Sequence, residues 1–235
     1  GIPMIGHVLA RSSLSSTLSD LYVATCDTQI KDYVGSIGGK AVMTADTHER
    51  ASDRTAEAIE KIEQKTGKIA DIVVMIQGDE PMVLPIMIDT AVQPLLDDDR
   101  IMVSNLMAPM DTFQEPEDPN EVKVGADLNG FALYFSREPI PSRKMGNAES
   151  FPMFKQVCII PFQRDFLFTF NQLEPTPFEI IESVDMLRVL EHGHKVKMIH
   201  SEEKTYSVDT PEDLKRVEGL MLSDPLPASY PLEMT

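Results

Sequence analysis

Short apolar runs alternate with amphipathic segments along the first third of the chain. The runs 21–25, 41–44 and 72–76 are rich in apolar residues and too short for helices. Runs of this kind are typical of strands that are buried on both faces of a sheet. Between them, residues 28–37 and 53–64 repeat apolar positions at helical spacing. This alternation predicts an α/β fold with a parallel sheet and crossover helices.

The remainder of the chain adds more strands and a hairpin. Further strands are predicted at 101–108, 121–126, 130–136, 155–162 and 196–199. Asn129-Gly130 is a hairpin signal, so we expect an antiparallel arm at roughly 121–150, suited to dimerisation or to sugar binding. A single helix is predicted over 176–192. Residues 1–222 are predicted to form one domain, followed by a C-terminal tail, 223–235.

Charge and cysteine content narrow the classes of partner. The formal net charge is −17 and the pI is about 4.6, which argues against nucleic acid or an anionic membrane surface as a partner. Cys26 and Cys158 supply neither a disulfide framework nor a zinc quartet, and no apolar run is long enough to span a bilayer. We therefore expect a cytoplasmic protein with no nucleic-acid or membrane partner.

Two aspartates that follow predicted strands are candidate catalytic residues. The run 72–76 leads directly into Asp79, and residues 206–209 are predicted to end a strand at Asp209. In open α/β sheets, ligands bind beyond the carboxyl ends of the strands. Two carboxylates there could hold Mg²⁺, which prefers oxygen ligands and bridges them to substrate phosphates. The pattern alone equally allows each aspartate to cap a turn.

Several short motifs occur in a fixed order along the chain. They are VAT-x-D at 23–27, AVMT at 41–44, SDR-x-AEA at 52–58, QGDEP at 77–81, ALYFSR-x-x-IP at 132–141, ESVDMLRVLEHG at 182–193 and SVDTPEDL at 207–214. In this order they resemble the sugar-acid cytidylyltransferases, above all the 3-deoxy-manno-octulosonate cytidylyltransferase (CMP-Kdo synthetase) family. The resemblance extends over nearly the whole chain, to about the start of the tail.

The resemblance implies a fold and a reaction. The fold is a Rossmann-like three-layer α/β/α nucleotidyltransferase sheet, mostly parallel, with the antiparallel arm inserted, and the relatives are homodimers. The reaction joins CTP to the 3-deoxy-2-keto sugar acid Kdo, giving a CMP-sugar and pyrophosphate for lipopolysaccharide biosynthesis. Because the anomeric hydroxyl of the sugar attacks the α-phosphate, negative charge on the phosphate oxygens must be neutralised.

The resemblance also implies roles for individual residues. Asp79 and Asp209 would be catalytic and would ligate Mg²⁺, the expected cofactor. Ser52 and Arg54 would lie near the nucleotide, and Gln77 would contact the sugar. The rest of the sugar side is predicted to come from Arg137, Gln156 and Asp185. The guanidinium of Arg137 is the candidate partner of the sugar carboxylate, because its fork of donors fits that group.

The chain departs from the family pattern in three places. The family begins with a strand and a basic, glycine-containing loop that cradles the CTP phosphates, whereas this sequence opens at Gly1. Residues 1–235 alone are therefore expected to be inactive or severely impaired, and a non-catalytic relative stays open as an alternative. Gln156 and Ile160 replace a usual His and Tyr, and Asp185-Met186 replaces a common Glu-Gln. A different keto sugar acid therefore also stays open as the acceptor.

Overall fold

Helices and strands alternate through the described part of the chain. The computed structural model describes residues 1–110, 115–142, 144 and 152–230. The α-helices of this part are α1 Met4–Ser12, α2 Thr28–Ser36, α3 Ala51–Thr66, α4 Pro85–Asp97, α5 Arg164–Gln172, α6 Pro177–Glu182, α7 Asp185–Glu191 and α8 Pro211–Met221. Its strands are β1 Val23–Thr25, β2 Ala41–Met43, β3 Ile72–Ile76, β4 Ser104–Pro109, β5 Lys123–Ala126, β6 Ala132–Ser136, β7 Phe154–Val157, β8 Ile159–Gln163 and β9 Lys197–His200.

Local capping chemistry sets several helix ends. The side chain of Asp27 accepts hydrogen bonds from the backbone N–H groups of the first turn of α2. Helix α3 ends at Gly67, whose φ of 70° is a left-handed conformation that glycine adopts without strain. At the start of α8, Thr210 and Asp213 form a reciprocal capping box. The last of these caps follows directly on Asp209.

The described strands form three hydrogen-bonded groups of mixed direction. Strand β1 pairs with β2 and β4 pairs with β9, both in parallel. The pairs β3–β8, β4–β7, β5–β6 and β5–β7 are antiparallel. The α/β class is thus confirmed, but the prediction of a mostly parallel sheet is wrong for the described pairs. The antiparallel pairs come from the β5–β6 hairpin and from β7 and β8, which run antiparallel to β4 and β3 respectively.

A single predicted strand over 155–162 is in fact two strands. Strand β7 pairs with β4 and β5, whereas β8 pairs with β3, so the chain changes sheets at Cys158. The side chain of Asn105 on β4 stabilises this crossing, because its Nδ2 donates to the carbonyl oxygens of Val157 at 2.6 Å and Ile159 at 3.4 Å. A pattern of apolar residues carries no mark of such a change of partner.

Helices cover both faces of β8. Ile160 and Phe162 point into one core cluster, which includes Phe170 of α5 and Leu187 of α7. Ile159 points the other way, into a cluster built around α4. Because neighbouring residues of a strand face opposite sides, this alternation gives the predicted three layers, helix, sheet and helix.

The helix predicted over 176–192 is broken in the middle. Helix α6 ends at Glu182 and α7 begins at Asp185, and between them Ser183 has a φ of 54°. The break frees the backbone carbonyls of Glu182 and Ser183, which accept hydrogen bonds from the side chain of Arg137. The prediction of one continuous helix is therefore wrong, and the break serves the site.

The arm and the tail are described only in part. The β5–β6 hairpin forms as predicted and turns at Gly130, whose φ is 74°. Residues 143 and 145–150 of the predicted arm lie outside the described residues, as do residues 231–235 of the tail. The described part of the tail packs on α1, where Arg11 donates from Nε to Tyr230 at 2.9 Å and also pairs with Asp224. Within the described ranges, no helix is both long and apolar enough to cross a membrane.

Candidate active site

A cavity of about 360 Å³ lies beyond the end of β3, beside β7 and the start of α7. Its wall contains most of the residues predicted for the site, namely Gln77, Asp79, Arg137, Gln156, Asp185 and Asp209. The wall also contains the basic residues Arg50 and Lys155. Acidic side chains outnumber basic ones in this wall, so the cavity suits a polar ligand that is bound together with a metal cation.

Asp79 follows β3 and is held there without a full set of partners. Its Oδ1 atom is buried and has no hydrogen-bond partner in the structure. Burial raises the pKa of Asp79 most, and the nearby charge of Asp209 raises it further. An unpartnered buried carboxylate oxygen is costly, so this atom has a physical reason to accept a cation.

Asp209 reaches the same cavity by a different route from the predicted one. No strand precedes it within 201–208, so the prediction of a strand end at Asp209 is wrong. The backbone N–H of Val208 instead donates to the carbonyl oxygen of Asp79 at 2.9 Å, and Ser207 Oγ donates to Asp209 Oδ2 at 3.1 Å. Asp209 is therefore brought to the cavity of Asp79 by a backbone contact of its neighbour Val208 and not by a neighbouring strand.

The Asp79–Asp209 pair is chemically suited to Mg²⁺. The described residues contain no group of three or more His, Cys, Asp or Glu side chains arranged to hold a metal ion. Mg²⁺ does not need such a group, because it usually keeps several waters and binds one or two carboxylates together with substrate phosphates. The orphaned oxygen of Asp79 and the exposed carboxylate of Asp209 match that donor set.

Arg137 lines the cavity, but much of its guanidinium is already engaged. Nε donates to the carbonyl oxygen of Glu182 at 2.6 Å, Nη1 to that of Pro119 at 2.6 Å and Nη2 to that of Ser183 at 3.3 Å. A guanidinium has five N–H groups, so two remain for a ligand. Arg137 therefore ties the arm to the α6–α7 break and keeps a smaller capacity for a carboxylate than an uncommitted arginine.

Asp185 is held from two sides at the start of α7. Ser52 Oγ donates to Asp185 Oδ2 at 2.8 Å, and Arg50 Nη1 lies 3.2 Å from Asp185 Oδ1. Ser52 is fully buried, so in this structure it acts through Asp185 and has no exposed surface for a nucleotide. Burial raises the pKa of Asp185, although the Ser52 hydrogen bond and the Arg50 charge oppose the shift.

Asp185→Asn is expected to raise the free energy of unfolding at pH 7. The pKa of Asp185 in the folded protein lies above its ordinary value of 3.8. Such a carboxyl group stabilises the fold at pH values below 3.8, where it is protonated. This stabilisation is lost as the pH rises through the folded pKa. Ionised Asp185 therefore opposes folding at pH 7. Urea unfolding should show a gain at pH 7 that shrinks toward pH 4. The exposed Asp99→Asn is the control, and a loss of stability at pH 7 would contradict the prediction.

Gln156 is oriented by a buried neighbour. Its Nε2 donates to Asn105 Oδ1 at 2.6 Å, and the amide nitrogen of Asn105 is in turn engaged at the β7–β8 crossing. The carbonyl oxygen of the Gln156 side chain is then the group left to accept a hydrogen bond in the cavity. With this oxygen and the second N–H of its amide, Gln156 can pair with a ligand hydroxyl, which both donates and accepts.

Arg54 lines a second, larger cavity, a groove between β1 and β3. This groove has a volume of about 680 Å³ and shares Gln77 and Asp79 with the first cavity. Arg54 Nη1 donates to the carbonyl oxygen of Ala45 at 3.2 Å and also to Thr44 Oγ1. The sequence-predicted nucleotide residue Arg54 is thus close to Asp79 but outside the cavity that holds the sugar candidates.

Four further residues of the cavity wall carried no assigned role in the sequence. Arg50 contacts Asp185, and Lys155 Nζ pairs with Glu121 at 2.8 Å. Glu80 and Thr205 are buried and hydrogen-bonded to each other, and burial raises the pKa of Glu80 to about 7. Of these residues, only Glu80 could have been identified from the sequence, because it directly follows Asp79. The others depend on contacts between distant parts of the chain.

Comparison with known proteins agrees with the motifs. The profile of a family described as cytidylyltransferase matches residues 1–217. The 3-deoxy-manno-octulosonate cytidylyltransferase of Geotalea uraniireducens is 39% identical over 226 residues, which cover 92% of this chain and 88% of that protein. The mitochondrial protein of the same name from Arabidopsis thaliana is 37% identical over 225 residues, covering 94% of this chain and 75% of its own.

Solved structures agree with the fold. A CMP:2-keto-3-deoxy-manno-octonic acid synthetase complexed with CTP superposes with a TM-score of 0.85 at 36% identity, covering 94% of this chain and 88% of its own. The 4-diphosphocytidyl-2C-methyl-D-erythritol synthase of Anaerococcus prevotii has a TM-score of 0.62 at 13% identity, covering 94% of this chain and 87% of its own, which shows a shared fold alone. The Rossmann-like nucleotidyltransferase fold is therefore confirmed, and the chain belongs to the cytidylyltransferase family.

Proposed function

We propose that this chain transfers a cytidylyl group from CTP to a 3-deoxy-2-keto sugar acid, with Kdo as the first candidate. One observation carries the proposal. Asp79 presents a buried, unpartnered carboxylate oxygen to a cavity that it shares with Asp209. Two carboxylates beside arginine, lysine and amide groups match the needs of a metal, a phosphate and a polar acid together. The relatives named above carry this activity in their names.

The chemistry divides between the two sides of β3. Oxygen of the sugar's anomeric hydroxyl bonds to the α-phosphorus, the hydroxyl proton is lost, and the bond from the α-phosphorus to the bridging oxygen breaks to release pyrophosphate. Mg²⁺, held by Asp79 and Asp209, would neutralise charge on the phosphate oxygens. The residues of the chain would orient the two substrates. Because their rotational freedom is then lost before the reaction, a large part of the activation barrier can be removed.

We assign the acceptor to the cavity and the nucleotide to the groove side. The free N–H groups of Arg137 and the charge of Lys155 would meet the sugar carboxylate, while Asp185 and the side-chain oxygen of Gln156 would accept hydrogen bonds from its hydroxyls. Arg54 lines the groove, which joins the cavity at Gln77 and Asp79. This arrangement would bring the α-phosphate to Asp79 from one side and the hydroxyl from the other.

A pyrophosphate-release assay tests the reaction. With CTP, Mg²⁺ and Kdo we expect release that depends on both substrates, and little release when UTP or ATP replaces CTP. Release that is independent of the acid would contradict transfer. The cytoplasmic location and the homodimer stay proposals, the second testable by light scattering.

A related acceptor is a second candidate. Gln156 stands where the family has His, and its orientation by Asn105 leaves an acceptor atom in the cavity. Such an atom, beside the second N–H of the same amide, favours a sugar with a hydroxyl at that point over one with an apolar group there. A panel of 3-deoxy-2-keto acids that differ by one substituent separates the two candidates. Best kcat/KM with unmodified Kdo would remove the reason for another acceptor.

A further inference from the structure

A pair of buried side chains joins the end of β3 to the segment that carries Asp209. Thr205 Oγ1 donates to Glu80 Oε2 at 2.7 Å, and the two residues are 3% and 5% exposed. They are separated by 125 residues in sequence. Three residues after Thr205, the N–H of Val208 donates to the carbonyl oxygen of Asp79 at 2.9 Å. Two hydrogen bonds thus fix one short segment against Asp79-Glu80.

The position of Asp209 depends on these hydrogen bonds because the segment that carries it has no regular secondary structure. Residues 201–209 lie between β9 and α8 and form neither helix nor strand. Asp209 itself is exposed, so packing does not hold its side chain. A segment of this kind has many accessible conformations, and fixing it in one of them costs conformational entropy. The distance between the two carboxylates therefore depends on the few contacts that anchor this segment.

Glu80 has its own physical reason to keep Thr205 in place. A buried carboxyl group costs free energy unless it is hydrogen-bonded, and the Thr205 hydroxyl is a donor that reaches it. Neither residue need touch a substrate for this to matter. Asp79 and Glu80 are neighbours, so a contact on Glu80 is transmitted to Asp79 through a single peptide unit.

We propose that Thr205 and Glu80 are positioning residues whose hydrogen bond, together with that from Val208 to Asp79, sets the separation of Asp79 and Asp209 and so tunes the affinity of that pair for a divalent cation. The inference rests on the proposed function for the identity of the cation site. It adds that the affinity for the metal depends on Thr205 and Glu80, two buried residues that are not themselves metal ligands. A role in stability alone would lower the thermal midpoint and leave the metal affinity of the folded protein unchanged.

Mn²⁺ binding, followed by electron paramagnetic resonance without substrates, tests the proposal. Thr205→Val removes the hydroxyl at nearly constant volume, and we expect an affinity about threefold to tenfold weaker, as for the loss of one hydrogen bond. Thr205→Ser keeps the donor and should restore binding to near the wild-type level. In steady state, KM for Mg²⁺ should rise in Thr205→Val while kcat recovers at saturating Mg²⁺.

Variants of Glu80 make a matched pair from the other side of the bond. Glu80→Gln and Glu80→Met both remove the charge, but only the glutamine keeps an oxygen that can accept from Thr205. The methionine variant should bind Mn²⁺ more weakly than the glutamine variant. Thermal midpoints are measured for both variants and Mn²⁺ is titrated well below the lower one, so weaker binding cannot be attributed to unfolding.

Each outcome bears on a different claim. Wild-type affinity in Thr205→Val, or equal weakness in Thr205→Ser, would overturn the positioning role while leaving the metal pair intact. If the wild type binds no Mn²⁺, or binds only Mn²⁺ that Asp79→Asn also binds, both the metal pair and its positioning would be overturned. Pyrophosphate release with CTP and a sugar acid tests the reaction independently of either result.

Discussion

Asp79→Asn is expected to lower cytidylyl transfer at least about a hundredfold with little effect on the fold. Removing one preorganised electrostatic partner of a developing charge typically costs about 10² to 10³ in kcat, and a metal ligand acts on the same charge. The amide keeps the size of the carboxyl but lacks its charge. Asp209→Asn should give a similar loss, while the exposed Asp99→Asn should leave kcat unchanged.

The stability of the same variant separates a metal role from a structural one. The pKa of Asp79 is raised, chiefly by burial and further by Asp209. Ionised Asp79 therefore destabilises the metal-free fold at pH 7, because a raised folded pKa favours the protonated form on folding. Urea unfolding without metal should show Asp79→Asn to be no less stable than the wild type. Turnover within a few-fold of the wild type would rule out the metal assignment.

Arg188→Met is expected to cost about 3–5 kcal/mol of stability, the range seen when one partner of a buried ion pair is removed. Arg188 donates to both carboxylate oxygens of Glu179, at 2.8 Å and 2.5 Å, and the two side chains are 7% and 1% exposed. The change leaves the Glu179 charge buried and unpaired. Because this pair joins α6 to α7, KM for the sugar acid should rise as well.

The double variant Glu179→Leu with Arg188→Met is the control. With both charges gone, no unpaired charge is buried, so much of the lost stability should return. Recovery should stop short of the wild type, because Glu179 also accepts the backbone N–H of Thr176 at 3.2 Å at the start of α6. Urea unfolding of the single and double variants measures both effects. A double variant as unstable as the sum of the single changes would contradict this account.

The sequence anticipated those parts of the fold that local chemistry decides. The strand that leads to Asp79 and the turn at Gly130 each depend on residues within a few positions of one another. The predicted strand does lead to Asp79, and Asp79 lines the cavity. In contrast, the position of Asp209 depends on the contact between Val208 and Asp79, which no local pattern encodes.

The failures have a common physical origin in long-range contacts. Strands β7 and β8 read as one apolar run because both are buried, yet they bond to different partners. Helices α6 and α7 read as one helix because Ser183 does not forbid helical geometry, yet Arg137 binds the carbonyls that the break exposes. In both places a polar side chain from a distant element, Asn105 or Arg137, satisfies the backbone that an unbroken element would have satisfied itself.

The crossing at Cys158 joins β7, which carries Gln156, to β8, which pairs with β3, through one short stretch of backbone. Gln156 lies just before the crossing, and just after it Ile160 is paired with Met75 of β3, the strand that leads to Asp79. In the proposed assignment Gln156 serves the acceptor and Asp79 the phosphate, so this short covalent link would limit how far the two groups can move apart. Under that assignment, a substitution on β7 would change the acceptor contacts while the pairing of β8 with β3 stays in place.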